Sequence, residues 1–139
     1  MKDRFFLALL TTQRAHFGRS RRGFQELDLS DGQPNVLYVL RDLEGCVQKE
    51  LAAFCQITPP SMAVMLDKLE ELNYVRREKT KVSGGKRAYR VYLTEEGKIM
   101  ADKVHALMEE IELECFQGFS TEEYEQLITL LERVKNNLS

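Results

Sequence analysis

Apolar residues recur at three- and four-residue intervals along most of this chain, and one central stretch breaks that rhythm. Over 2–24, Phe5, Phe6, Leu9, Leu10, Gln13 and Phe17 fall near one stripe, which predicts a helix. Val36, Leu37, Leu40 and Leu43 give one face of a second helix over 31–43, with Pro34 tolerated in its first turn. The run Ser30-Asp31-Gly32-Gln33 before it has the capping-box pattern: the Ser30 hydroxyl can accept from the Gln33 N–H while the Gln33 side chain reaches back. Glu44-Gly45-Cys46 is a break. A short helix over 48–55 follows, with Leu51, Ala52 and Cys55 as its inner face. Thr58-Pro59 is a start signal, Thr as cap and Pro in the first turn. The helix it opens, over 59–73, turns Met62, Met65, Leu66, Leu69 and Leu72 inward. Pro60, Ser61, Ala63, Val64, Asp67, Lys68 and Glu71 lie mostly on its other face, and Asn73 suits a left-handed stop.

The rhythm then changes. Residues 74–78 and 90–94 have the β-branched and aromatic character of strands, and the link KTKVSGGKRAY between them has Gly84-Gly85 at its tip. Helical spacing resumes after Thr94, a predicted cap with acids in the following turn, and holds to about residue 117 through Ile99, Met100, Val104, Leu107, Met108, Ile111, Cys115 and Phe116. Gly118 breaks it. Ser120 to Glu123 is a second capping box, and Tyr124, Leu127, Ile128, Leu131, Val134 and Leu138 carry a last helix. The fold class expected is mainly α with a small β-hairpin wing. A winged helix-turn-helix over 30–94 is flanked by helical segments over 1–29 and 95–139.

Charge sharpens this picture. The net charge of −2 announces no nucleic-acid binder, but residues 76–90 hold seven positive groups against Glu78 alone, while 95–139 hold eleven acids against four bases. A short helix, a turn, a second helix and a cationic hairpin are the parts needed to lay one helix in a DNA major groove while the hairpin reaches the backbone or minor groove. The candidate DNA-binding residues are Thr58, Pro60, Ser61, Ala63, Val64 and Lys68 on and before the second helix of the motif, and Lys81, Lys86, Arg87 and Arg90 on the hairpin. Ala63 and Val64 cannot make bidentate contacts to bases but can touch thymine methyls, so readout leans on phosphates and DNA shape. For Lys68, pairing with Asp67 or Glu71 competes with a phosphate contact. The plain reading of Arg14, Arg19, Arg21 and Arg22 is an exposed helix surface.

The two last helices hold many apolar residues without a sheet or globular partner of their own. Covering them with the first helix and a second chain predicts a two-fold homodimer. A ligand pocket between the first two helices and the helix-turn-helix would draw on Phe17, Phe24 and Tyr38, with core packing the plainer role for each. Three scattered cysteines argue against a disulfide framework. Cys55 and Cys115 fall on apolar positions and read as core, and Cys46 lies in a loop. The histidines, His16 and His105, stand in no ligand spacing, so no metal or cofactor is expected. No GxSxG, HExxH or phosphate-cradling glycine loop points to an enzyme. The apolar runs are too short for a membrane span, and Gln13, Arg14 and His16 come too early for a signal peptide. The chain therefore reads as cytoplasmic. The alternatives are a winged-helix module that binds a protein, and a regulator that responds to thiol oxidation.

In order and spacing these elements resemble the MarR family of transcriptional regulators over nearly the whole chain. LSDGQPNVLYVL is similar to the family's second helix, ELAAFCQITPPSMAVMLDKLEELNYV to its helix-turn-helix, and Leu93-Thr94-Glu95-Glu96-Gly97 to its Leu-Thr-x-x-Gly. The resemblance implies a dimeric repressor or activator on a pseudo-palindromic operator of double-stranded DNA. It also implies release by a small aromatic or anionic ligand or, in some members, by thiol oxidation. The family's wing ends in Asp-Arg-Arg, and here Gly85-Lys86-Arg87 stands in that place, so the Asp–Arg pairing that would steady the wing is missing. The wing also reads as slightly longer than is usual in the family.

Overall fold

The computed structural model describes Lys2 and residues 4–139. The chain forms α1 (Arg4–Gln25), α2 (Gln33–Leu43), α3 (Gln48–Phe54), α4 (Pro59–Glu71), β1 (Val75–Lys81), β2 (Arg87–Leu93), α5 (Glu95–Cys115) and α6 (Thr121–Leu138). The first helix was expected over 2–24, and position 3 of that range lies outside the described residues. Among the described residues no helix is long and apolar enough to cross a membrane.

The core is built where α2, α3, α4, the hairpin root and α5 meet. Leu37, Leu40, Leu51, Met62, Leu66, Leu69, Val91 and Val104 are fully enclosed there. The inward stripes expected on α2, α3 and α4 account for most of it. Leu72 is the exception. It stands roughly 80° around the helix from Met62 and caps α4 where the chain turns away, so it is exposed rather than inward. Asn73 takes the left-handed conformation expected of it (φ 63°). The Tyr74 N–H donates to Leu69 O at 2.9 Å and the Asn73 N–H to Glu70 O at 2.9 Å, the Schellman pattern that satisfies the last carbonyls of α4. Gln56 (φ 58°) ends α3 in the same way, with Ile57 N–H on Ala52 O and Gln56 N–H on Ala53 O. Both helices of the motif are therefore stopped by left-handed residues that are not glycine.

Three of the expected caps form as written. Thr58 Oγ1 accepts from Ser61 N–H, Thr94 Oγ1 accepts from Gly97 N–H at 2.9 Å, and Ser120 with Glu123 makes a complete reciprocal box. The fourth corrects the expectation. Gly32 (φ 84°) occupies the cap position of α2, which starts at Gln33 and not at Asp31. Ser30 stands two residues outside the helix, and its carbonyl, not its hydroxyl, accepts from Gln33 N–H at 3.1 Å. The return half survives: Gln33 Oε1 accepts from Ser30 N–H at 2.9 Å.

The hairpin also differs from expectation. The strands run to Lys81 and from Arg87, well beyond 74–78 and 90–94. They pair antiparallel with Val75 opposite Leu93 and Lys81 opposite Arg87. Its loop is only residues 82–86, with Gly84 and Gly85 at positive φ as a tip requires. The root is braced by a third short stretch: Gly45 N–H donates to Val91 O at 2.7 Å, Val91 N–H donates to Cys46 O at 3.0 Å, and Val47 bridges Arg90.

The flanking helices contrast with this core. α6 has no buried residue, and α1 buries only Gly23 and Phe24. Phe5, Phe6, Leu9, Phe17, Leu127, Leu130, Leu131 and Leu138 are exposed. α1 is fastened to α5 by a two-pronged ion pair, Arg19 Nε and Nη2 on Glu114 at 2.7 and 2.8 Å. Cys115, expected in the core, is exposed.

Candidate nucleic-acid interface

Thr58 sets the start of α4. Its Oγ1 accepts from Ser61 N–H at 3.3 Å and donates to Ser61 Oγ at 2.9 Å. Thr58→Ala is expected to remove about 1 kcal/mol, read as a lower urea midpoint with an unchanged slope. From this cap onward, α4 offers Pro60, Ser61, Val64 and Lys68 to solvent, with Ala63 half-buried. Val64 is 63% exposed although Met62 and Leu66 on either side of it are fully enclosed. A large apolar side chain in water at the middle of an otherwise well-packed helix is the arrangement a groove-reading surface needs. Lys68 takes neither Asp67 nor Glu71 and has no ion-pair partner among the described residues.

The seven positive groups of the hairpin are not equivalent. Arg76 pairs with Glu78 and stacks over the Tyr92 ring, 4.4 Å from its centroid. Arg90 donates from Nη1 to Gly45 O at 2.9 Å, which ties it to the root. Arg77 reaches across to α4, where it meets Asp67 Oδ1 at 2.5 Å and Glu70, and to Gln48 Oε1 of α3 at 3.4 Å. Burial works against its charge, and the hydrogen bonds to Asp67 and Glu70 outweigh that, so its pKa is raised above the ordinary guanidinium value. The other four, Lys79, Lys81, Lys86 and Arg87, are exposed and form no ion pair among the described residues.

Alternation along the paired strands sorts them further. Arg77, Lys79 and Lys81 share one face with Arg87, Tyr89 and Val91 opposite them. Arg77 binds α4 from that face, so Lys79, Lys81 and Arg87 continue it outward from the helix. Lys79 was not among the candidates, and the register places it on the same face as Lys81 and Arg87. Arg90, which was a candidate, is committed to the backbone at the root.

The remaining candidates separate. Phe24 belongs to the core, and Tyr38 stacks on His105 with ring centroids 4.1 Å apart. Phe17 lines a shallow groove on α1 with Leu10, Gln13, Arg14, Gly18 and Arg21, and neither Phe24 nor Tyr38 shares it. The three do not make one pocket wall. Cys46 and Cys55 are partly buried against the core, and burial pushes both thiols up, the wrong direction for a reactive thiolate. Among the described residues no His, Cys, Asp or Glu cluster could hold a metal ion.

Comparison with known proteins agrees with this geometry. Residues 27–87, from the approach to α2 to the hairpin tip, match the MarR family model. The solved structure of the transcriptional regulator PA4135 is 30% identical, with a TM-score of 0.75 over 94% of this chain and 95% of that one. This chain belongs to the MarR family. The transcriptional regulator SlyA superimposes over 97% of this chain and 94% of its own, at 25% identity and a TM-score of 0.83. A mutant MarR from E. coli complexed with operator DNA has the same fold, at 22% identity and a TM-score of 0.77 over 91% and 90% of the two chains. As in other MarR-family structures, the winged helix-turn-helix is one part of a predominantly helical chain.

Proposed function

We propose that this MarR-family chain is a transcriptional regulator that binds double-stranded DNA as a homodimer, most simply as a repressor on a pseudo-palindromic operator. One observation carries the reading. The exposed face of α4, with Pro60, Ser61, Val64 and Lys68, sits beside a hairpin whose four outer cations form no ion pair among the described residues. α4 enters the major groove, and Lys81, Lys86 and Arg87 meet the backbone or an A·T-rich minor groove, where narrow walls concentrate negative potential. The MarR structure with operator DNA supports this arrangement by its shared fold.

Residues 30–94 are the DNA-binding region, and 1–29 with 95–139 bring two copies together. The uncovered apolar residues of α1 and α6 support the second assignment. So does charge: α1 flanks Leu10 and Phe17 with Arg14 and Arg21, while the groove between α5 and α6 sets Glu109 and Glu112 around Leu113, Phe116, Phe119 and Tyr124. The chain acts in the cytoplasm and performs no enzymatic step.

Fluorescence anisotropy with a labelled random-sequence duplex at low salt tests the first claim. Binding that weakens steeply as salt rises is expected, and no binding at all would favour a protein-binding winged helix. Sedimentation at micromolar concentration tests the second: a dimer is expected, and a lone monomer would overturn the assignment of the flanking helices.

A further inference from the structure

Among the described residues, Arg77 is the one hairpin cation bound to acids of another element. Its side chain is 18% exposed, and its guanidinium meets Asp67 and Glu70 and lies over the Tyr89 ring, 5.8 Å from its centroid. The two carboxylates belong to α4, the helix that also carries Val64 and Lys68. Both stay partly open to solvent, at 64% and 39%. Without Arg77, that edge of α4 would present two unpaired negative charges next to the surface proposed to meet a polyanion.

We infer that Arg77 is a positioning residue for DNA binding that works as an internal counter-ion. It cancels Asp67 and Glu70 so that α4 can approach the phosphates, and it does not touch DNA itself. The inference rests on the DNA-binding reading above. Its physical content is the sign of the field at the edge of α4. Opposed charges a few ångströms apart leave a small residual field, whereas two bare carboxylates repel phosphates over about a Debye length, ~10 Å at 0.1 M salt.

A purely mechanical tie between hairpin and helix would fail whichever partner were removed. A counter-ion gives opposite signs, which makes the two roles separable. The full chain is titrated against a labelled random-sequence duplex across a salt series, with circular dichroism melts confirming that each variant folds. Arg77→Gln is expected to weaken binding about tenfold at low salt. The double variant Asp67→Asn/Glu70→Gln keeps Arg77 and is expected to bind about threefold more tightly, with both differences shrinking as salt rises. Combining all three substitutions should return affinity to within about twofold of the parent. If the double variant weakens binding, or leaves it unchanged, the counter-ion role is wrong, and that result stands even where Arg77→Gln does not fold. If Arg77→Gln folds and binds as the parent does, it is wrong as well. Failure of the parent protein to bind any duplex would instead overturn the DNA-binding reading, a result seen before any variant is compared.

Discussion

Gly97→Ala is expected to cost the fold about 3–5 kcal/mol, a large share of the roughly 5–15 kcal/mol that holds an ordinary domain folded. A Cβ at position 97 would stand 1.8 Å from Tyr74 O and 2.8 Å from Tyr74 C. These are backbone atoms, and they are already committed: Tyr74 O accepts from Thr94 N–H at 3.0 Å, and Thr94 Oγ1 donates to Asn73 O at 2.6 Å while capping α5 through Gly97 N–H. Making room for the methyl would mean separating the end of α4 from the start of α5 and losing these bonds together. Helix propensity pulls the other way, because Ala in a helix is favoured over Gly by about 1 kcal/mol. The steric term wins by a wide margin. Gly18→Ala supplies the control. It sits within α1, where an added Cβ meets only Arg22 Nη1 at 3.8 Å, so there the propensity term acts alone and should stabilise. Chemical denaturation of both variants reads the contrast, and a stabilised Gly97→Ala would show that the approach of α5 to Tyr74 is not as close as described.

Removing the three outermost cations together, Lys81→Ala/Lys86→Ala/Arg87→Ala, is expected to leave stability untouched and to weaken DNA binding roughly a hundredfold at low salt. All three side chains are exposed, and none has an ion-pair partner among the described residues, so their loss leaves nothing buried or unpaired behind. Each phosphate neutralised contributes about 0.9 unit to the slope of log affinity against log salt, so the slope should flatten by roughly three units for each protomer whose hairpin is engaged. Arg87→Ala alone should flatten it by roughly one. An unchanged slope in the triple variant would take the hairpin tip out of the interface. Arg90→Ala is not part of this set, because its guanidinium is held by Gly45 O at the root.

What could be read from the chain beforehand followed from local chemistry. Thr58, Thr94, Ser120 and Asn73 announce helix ends because a hydroxyl or a tolerated left-handed residue acts within three or four positions of itself. All four act where expected. Ser30 failed because the pattern Ser-x-x-Gln cannot show that Gly32 takes the left-handed cap position instead. The hairpin was read too short for a related reason. Thr80 and Tyr89 favour strands, but Lys79, Lys81 and Ala88 beside them do not, and with only Thr80 and Ala88 half-buried there is no apolar alternation to read. Closure of the tight loop over 82–86 pairs them, with Val82 N–H on Lys86 O at 2.9 Å. The candidate site was legible as a cluster of positive charge and not as a set of roles. Composition counts Arg77 and Lys81 alike, and only tertiary contact shows that one is spent on Asp67 and Glu70 while the other forms no ion pair among the described residues.

The junction around Tyr74, Thr94 and Gly97 makes the hairpin a lever with its fulcrum on α5. Seven residues per strand at about 3.3 Å each place the tip ~23 Å from that fulcrum. A tilt of one degree at the base therefore swings Arg87 and its neighbours by ~0.4 Å, and ten degrees by ~4 Å, most of the ~6 Å width of a minor groove. Small reorientations of the longest carboxy-terminal rod are thus magnified several-fold at the far end of the hairpin.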